Sequence, residues 1–390
     1  MSKPFNRYHM PNFQLDSLLF SCYVKYDRLS FLMFNEFGNR PEGNCTHVNL
    51  FIDLYSVMRS ICFREDFRAD PGMEYSLASR VINMAAHYRE YFKSRHNTST
   101  SIYIVSSFNM NDNTTRILPE YKSKIALAKE NGCYDYLVQN IKVLNSLVPY
   151  LPGIYFRHYE YNNTSAAMLD IMNYNVEHGN TDPNIVITKD IVTYQLVNYN
   201  KALTICIRPK KTVHQDFNGS NISEDTSYSI NRNSLMFTYA KEKMQNTSNH
   251  EIMNKRLEKI GKISPELYSA FLTFTGVGEY NLPAITKFPT TLNDFHKVFV
   301  EEQFLLNQYN NDIEYLIQMI QGVSSSKKSE IDPRYVLTRF SLIDLISNYN
   351  ALVFNNIERY VEVEDLYQPD MVKDINERFF TKCPLDLNVL

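Results

Sequence analysis

Five short runs of mostly β-branched and aromatic residues alternate with longer segments of helical character. This alternation is the feature that constrains the fold most strongly. Such runs are typical of buried strands, and strands that alternate with helices indicate βαβ units. The sequence therefore predicts an α/β fold, with a mostly parallel central sheet flanked by helices and a helical C-terminal part. The five runs are Val48–Leu54, Ser101–Ser107, Ile154–His158, Ile185–Thr188 and Leu203–Ile207.

Changes in composition along the chain predict four regions. Residues 1–45 form an N-terminal extension, residues 46–233 the α/β core, residues 234–323 a helical region and residues 324–390 C-terminal helices. The polar residues 208–234 are expected to form a loop or a hairpin within the core. Because the extension is rich in aromatic and large aliphatic residues, something must cover it. We favour a protein partner over packing onto the chain's own core.

Several classes of protein are excluded by composition. No run approaches the roughly 18 apolar residues of a membrane helix, and the N-terminus lacks the pattern of a signal peptide. We therefore expect a protein of the cell interior or of a virion, without a membrane partner. The six cysteines contain no Cys-x-x-Cys pair, which argues against a zinc site and a disulfide framework. With a net charge of −3, any nucleic-acid surface must be a local basic patch.

Acidic residues follow three of the predicted strands. Asp53 ends the first run, Glu160 follows the third and Asp190 follows the fourth. The carboxyl ends of parallel strands lie at one edge of a sheet, which is where ligands and metal ions bind. We therefore expect the three carboxyl groups to lie within about 10 Å of one another, the scale of a two-metal pocket. A strand-end aspartate can also simply cap the following helix, and this reading stays open for Asp53.

Four motifs around these acidic residues resemble those of the 5′-nuclease superfamily, the flap endonucleases and 5′→3′ exonucleases with a PIN-like core. Residues 190–197 resemble Asp-Lys-Asp-Leu-Leu-Gln-Leu, and residues 116–124 resemble Arg…Leu-Pro-x-Tyr-Lys-x-x-Arg. Residues 160–163 stand where the family has Glu-Ala-Asp-Asp. Residues 274–283 resemble Leu-x-Gly-Asp-x-x-Asp-Asn-Ile-Pro. The order and spacing of the motifs carry the resemblance.

The resemblance implies a Mg²⁺ cofactor and DNA, or RNA, as a partner. In the family the carboxylates bind the metal ions, which identifies Asp53, Glu160 and Asp190 as what is left of a metal site. The basic segment faces substrate phosphates, and the glycine-containing loop opens a helix–turn–helix element that grips duplex DNA. The implied nucleic-acid-binding residues are Arg116, Tyr121, Lys122, Lys124, Lys129, Gly276 and Asn281.

Most acidic positions of the family pattern are replaced in this chain. Mg²⁺ can be held by one or two carboxylates with water and substrate phosphates, so a single weak site is conceivable and two sites are not. Valine cannot coordinate a cation, and it makes a pocket less able to solvate one. The replacements are Ser107, Asn162, Asn163, Val192, Val277 and Tyr280.

Three functions remain open at this point. The first is a catalytically degenerate 5′-nuclease homologue that binds nucleic acid or acts as a scaffold in a viral or phage DNA-metabolism, transcription or virion complex. Abundant Asn, Ile, Lys, Tyr and Phe indicate an AT-rich genome and hence this source. The alternative is an active Mg²⁺-dependent exonuclease or flap endonuclease with a reduced metal site. The third is a protein-interaction module without a DNA surface. Nuclease assays and salt-dependent DNA binding separate the three.

Overall fold

A computed structural model provides the structure of the chain. It describes residues 45–62, 74–109, 118–215, 221–225, 227–243, 250–286, 288–297, 332–355 and 368–390 except 383, and the single residues 29, 33, 357, 360 and 366.

Eight strands and twelve α-helices follow one another in the described residues. The strands are β1 (His47–Asp53), β2 (Ser99–Ser107), β3 (Ile154–Tyr159), β4 (Asn184–Ile187), β5 (Thr204–Arg208), β6 (Lys211–Gln215), β7 (Asn221–Asp225) and β8 (Tyr228–Ile230). The helices of the first half are α1 (Leu54–Cys62), α2 (Ser76–His96), α3 (Lys124–Glu130), α4 (Tyr134–Leu147) and α5 (Thr164–Glu177). Those of the second half are α6 (Leu235–Lys243), α7 (His250–Ile260), α8 (Tyr268–Thr275), α9 (Phe288–His296), α10 (Pro333–Ile343), α11 (Leu345–Phe354) and α12 (Pro369–Phe379).

Six of the strands form one sheet in the order β3-β2-β1-β4-β5-β8, in which only β8 runs antiparallel. The mostly parallel sheet flanked by helices is therefore confirmed. Strands β6 and β7 form a separate antiparallel hairpin inside the predicted polar stretch. The strand order reverses between β1 and β4, and such a switch point leaves a crevice at the carboxyl edge of the sheet.

Hydrophobic side chains cover both faces of the sheet. On one face, α2 and α4 pack over Leu50 and Ile52 of β1. On the other face, α5, α8 and α10 pack over a layer that contains Phe51 and Val105. Strands buried on both faces explain why the sequence shows continuous apolar runs instead of alternation.

The segment after Asp190 is a short helix of the 3-10 type. It comprises the eight residues Ile191–Asn198, of which the first seven are buried. Asp190 caps this 3-10 helix by accepting a hydrogen bond from the Val192 amide.

Two terminal regions pack against the core. Of the predicted extension, Leu29 and Met33 are described, and both are buried in the hydrophobic layer beneath α2. At the other end, residues 384–390 lie along α2. The Asn83 side chain donates to the Pro384 carbonyl at 3.0 Å, and its oxygen accepts from the Asp386 amide at 2.8 Å. The Arg89 guanidinium donates to the carbonyl oxygens of the last two residues.

No helix among the described residues is long and apolar enough to cross a membrane.

Candidate functional site

Asp53 lies at the end of β1 with its carboxylate fully buried. One carboxylate oxygen accepts from the backbone amides of Tyr55 at 3.0 Å and Ser56 at 3.4 Å. The other accepts from the hydroxyls of Ser56 at 2.7 Å and Thr188 at 2.8 Å. Amides at the start of a helix lack partners within the helix, so Asp53 acts as the N-terminal cap of α1. Both oxygens are thus engaged by the fold itself.

Asp190 lies across the crevice from Asp53 and is joined to it through Thr188. The Thr188 hydroxyl that donates to Asp53 accepts from the Asp190 amide at 3.0 Å. The Asp190 carboxylate caps the 3-10 helix by accepting from the Val192 amide at 2.9 Å. Its other oxygen accepts a hydrogen bond from the Tyr280 hydroxyl. Burial, together with the negative charge of Asp190, raises the pKa of Tyr280 well above its ordinary value, so this hydroxyl keeps its proton.

Lys124 fills the space beside Asp190. It is the first residue of α3, after the Ser123 cap, and it is 3% exposed. Its ammonium group lies 3.3 Å from the Asp190 carboxylate and donates to the Thr164 hydroxyl at the start of α5. It also lies 5.1 Å from the centre of the Tyr55 ring, a favourable cation–π position. The structure therefore places Lys124 inside the protein and not on a surface that faces phosphates.

Glu160 lies apart from the two aspartates. It follows β3, the edge strand, which is separated from β4 by three strand spacings of about 4.8 Å each, or about 14 Å. Its side chain is 55% exposed and lies 3.5 Å from the His158 imidazole. Burial lowers the pKa of His158, and the charge of Glu160 opposes this shift. All three acidic residues follow strands at one edge of the sheet; Asp53 and Asp190 are joined there through Thr188, whereas Glu160 lies beside His158.

The polar residues at replaced family positions have hydrogen-bonding roles in the fold. The Ser107 hydroxyl donates to the Tyr161 carbonyl. The Asn162 side chain accepts from the Asn109 amide at 2.8 Å. The Asn163 side chain caps α5 by accepting from the Ala166 amide at 2.9 Å.

The two valines at replaced positions, Val192 and Val277, are buried in the hydrophobic layer that contains α8. Among the residues that the structure describes, no group of three His, Cys, Asp or Glu side chains is placed to hold a metal ion. The arrangement therefore does not fit a divalent metal centre, because the oxygens of Asp53 and Asp190 accept hydrogen bonds from the fold and the Lys124 ammonium already pairs with Asp190.

The basic segment and the glycine-containing loop pack against each other. The Lys122 amide donates to the Tyr280 carbonyl at 3.0 Å, and the Asn281 side chain donates to the Glu120 carbonyl at 2.8 Å. The Tyr121 ring is 3% exposed and lies 5.8 Å from that of Tyr280. The sequence motifs do not predict this contact, because the resemblance implies a separate DNA-binding role for the basic segment and for the loop.

Gly276 and Asn281 hold this loop in its conformation. Both have positive φ angles, of 78° and 55°, which glycine and asparagine adopt most readily. A Cβ atom at Gly276 would lie 2.6 Å from the Leu282 carbonyl oxygen. The loop geometry by itself therefore requires residues of these types at both positions.

The remaining basic residues predicted to bind nucleic acid are Lys122, Lys129 and Arg116. The Lys122 ammonium is at the surface and pairs with both carboxylate oxygens of Glu130, at 2.8 and 2.9 Å. Lys129 is exposed and lies over the Tyr134 ring at 5.0 Å. Arg116 lies outside the described residues.

Lys124 was predicted as a binding residue, and its pairing with Asp190 was missed. One sequence signal points to it. A lysine at the first position of a helix meets the positive end of the helix dipole, which disfavours a cation there unless a negative group compensates. The compensating group, Asp190, is distant in sequence, so the position of Lys124 indicates that it needs an acidic partner but does not identify that partner.

Comparison with known proteins finds similarity to solved structures only, each with a TM-score of 0.40 or less. No protein-family model and no curated protein sequence matches it. A phage T5 flap endonuclease pseudo-enzyme, solved with product DNA and metal ions, is similar with a TM-score of 0.40 and 10% identity, over 88% of this chain and 98% of that one. Human GEN1 with Holliday junction DNA is similar with a TM-score of 0.39 and 12% identity, over 85% of this chain and 66% of that one. A mutant T5 5′-exonuclease gives a TM-score of 0.38 and 11% identity, over 88% and 98%.

Proposed function

We propose that this chain is a 5′-nuclease-like protein that has lost catalysis and binds nucleic acid, or acts as a scaffold, in a viral or phage DNA-metabolism, transcription or virion complex. The observation that carries the proposal is the hydrogen bonding of Asp53 and Asp190. Every oxygen of these two buried carboxylates already accepts hydrogen bonds from groups of the fold.

Phosphodiester hydrolysis on a two-metal site requires ions that stabilise both the attacking and the leaving oxygen. Ions at such a site need free carboxylate oxygens at short mutual distance. Here Glu160 follows a strand that lies three positions from β4 in the sheet, and Asp190 is already paired with the Lys124 ammonium group. A reduced one-metal nuclease, the alternative function, would have to open this network before an ion could bind.

The first expected result concerns cleavage. Purified protein incubated with a 5′-flap or nicked duplex and Mg²⁺ or Mn²⁺ should release no product above a metal-free control, because the part of the chain that the structure describes contains no acidic cluster placed to hold the ions. Gel analysis of end-labelled DNA provides the measurement. Metal-dependent cleavage that disappears in the Glu160→Ala variant would establish the alternative, since Glu160 is exposed and its loss leaves the core intact.

The nucleic-acid surface that we propose comprises the exposed part of the basic segment. Lys122 and Lys129 are its lysines at the surface, and the Lys122 amide joins the segment to the loop that contains Gly276. Glu130 partly neutralises Lys122, but an exposed ion pair of this kind is worth only about 0–1 kcal/mol and is easily exchanged for a phosphate. We include Arg116 in the proposed nucleic-acid surface because of its sequence motif, since it lies outside the described residues.

The second expected result is a salt-dependent affinity for DNA. The logarithm of the binding constant should fall linearly with the logarithm of the salt concentration, and Lys122→Ala and Lys129→Ala should each reduce the slope by about one. Fluorescence anisotropy across a salt series measures this. Lys142→Ala, an exposed lysine on α4, serves as the matched control and should leave the slope unchanged. No binding at low salt would leave only the protein-interaction function.

A protein partner at the N-terminal extension is the remaining part of the proposal. Leu29 and Met33 pack under α2, so this part of the extension belongs to the core. The aromatic residues predicted as partner contacts lie outside the described residues. Removal of residues 1–28 tests the proposal, because that deletion retains both core residues. A folded monomer that still binds every co-purifying protein would argue against an interface there.

A further inference from the structure

The crevice between β1 and β4 holds two buried carboxylates, Asp53 and Asp190, at a switch point of the sheet. A buried carboxylate without compensation is costly, and in proteins it is either protonated, paired or bound to a metal ion. Asp53 accepts four hydrogen bonds from amides and hydroxyls. Asp190 in addition receives a full positive charge, from the ammonium group of Lys124 at 3.3 Å.

The surroundings of the Lys124 ammonium resemble the coordination of a small cation. An ammonium group has three N–H donors and no acceptor, and its neighbours here are oxygen atoms and an aromatic face. The carboxylate of Asp190 and the hydroxyl of Thr164 supply the oxygens, and the Tyr55 ring covers a further side. Carboxylate and hydroxyl oxygens are also the ligands that hard divalent cations prefer.

A lysine in this position is not explained by its own helix. It stands at the first residue of α3, where the exposed amides disfavour positive charge, and burial of its long side chain costs conformational entropy. Both costs are offset by the pairing of the ammonium group with the Asp190 carboxylate. We therefore assign to Lys124 the role of neutralising Asp190 at the point where the strand order reverses.

We propose that the Lys124 ammonium is a built-in cation, which occupies the place of a divalent metal ion between α3, α5 and the carboxyl end of β4. The inference rests on the proposed loss of catalysis and deepens it, since it states what fills the former ion's place. The crevice of the wild-type protein then neither needs nor admits Mg²⁺ or Mn²⁺. Removing the lysine leaves Asp190 buried without its counter-charge. It also exposes the side of Asp190 Oδ2 that faces the ammonium group, next to the Thr164 hydroxyl, as a latent cation site, while the hydrogen bonds from Val192 and Tyr280 stay in place.

Thermal unfolding of the full chain, with EDTA and with millimolar Mn²⁺ or Mg²⁺, tests the proposal. The wild-type Tm should not respond to either ion. Lys124→Ala should lower the Tm in EDTA by about 5 °C or more, because one member of a buried ion pair is left alone. Saturating Mn²⁺ should then raise the Tm of this variant by about 3 °C, because the ion binds the folded state only.

Two further variants make the test specific. Lys122→Ala removes an exposed lysine two residues away and should change the Tm by no more than about 1 °C. The double variant Lys124→Met, Asp190→Asn removes both charges and should be more stable than Lys124→Ala, with no response to Mn²⁺. If Lys124→Ala does not fold, a folded double variant supports the built-in cation. A double variant that also fails to fold contradicts it.

Other outcomes overturn the inference in distinguishable ways. If Mn²⁺ raised the Tm of the wild-type protein as much as the Tm of Lys124→Ala, the lysine would not keep divalent ions out of the crevice. An unchanged Tm in Lys124→Ala would show that Asp190 needs no counter-charge. Metal-dependent DNA cleavage by the wild-type protein would instead overturn the proposed function, whatever the Tm values.

Discussion

Replacing Asp53 by alanine should lower the free energy of unfolding by about 3–5 kcal/mol, because it removes a buried carboxylate that accepts four hydrogen bonds. The Thr188 and Ser56 hydroxyls would lose a charged acceptor, and α1 would lose its cap. Chemical denaturation, followed by far-ultraviolet circular dichroism, measures the change.

The control for this prediction is Glu160→Ala. Glu160 also follows a strand at this edge of the sheet, but its side chain is 55% exposed and lies beside the His158 imidazole, so its loss should change stability by at most about 0.5 kcal/mol. If the acidic residues instead formed a metal site, they would repel one another in metal-free protein, and removing either would be neutral or stabilising. Equal, small effects of the two variants would therefore contradict the structural role of Asp53.

Replacing Gly276 by alanine should cost about 3 kcal/mol or more, because φ of 78° with ψ of 159° is a region that glycine alone adopts without strain. The new Cβ would also lie within 2.7 Å of backbone atoms of Leu282 and Ala284. The loop would have to shift, and with it the paired hydrogen bonds of 3.0 Å between Val277 and Leu282.

Gly278, two residues further on, is the matched control. A Cβ atom at Gly278 meets nothing within 4 Å, so Gly278→Ala should change the unfolding free energy by no more than about 0.5 kcal/mol. The same denaturation experiment compares both variants. If Gly276→Ala were as stable as Gly278→Ala but bound DNA more weakly, the glycine would be retained for nucleic acid and not for the loop.

The sheet could be predicted from sequence because its strands are buried on both faces. Runs such as Val48–Leu54 and Ile185–Thr188 lie within one residue of the observed strands at each end. Helix caps can be predicted from sequence as well, because a capping side chain and the amide it binds are close in the chain. Asn163 and the Ala166 amide, for example, are only three residues apart. Such features depend on residues that are neighbours in the chain.

The arrangement at the carboxyl edge could be predicted only in part. Parallel topology requires Asp53, Glu160 and Asp190 to share an edge, but it does not state how far apart along that edge they lie. The pairing of Lys124 with Asp190 depends on α3 approaching β4, and the length of the connecting segments does not determine that approach. The 3-10 form of residues 191–198 also depends on tertiary packing, which overrides local propensity.

The attachment of residues 384–390 to α2 has a consequence for the order of assembly. The hydrogen bonds from Asn83 and Arg89 join the second helix of the core to residues that are about 300 positions further along the chain. Contacts between such distant positions carry a loop-closure entropy and are expected to form late in folding. The flank of α2 that contains Asn83 and Arg89 is therefore expected to complete its hydrogen bonding only when residues 384–390 dock, so this attachment should be a late step of assembly.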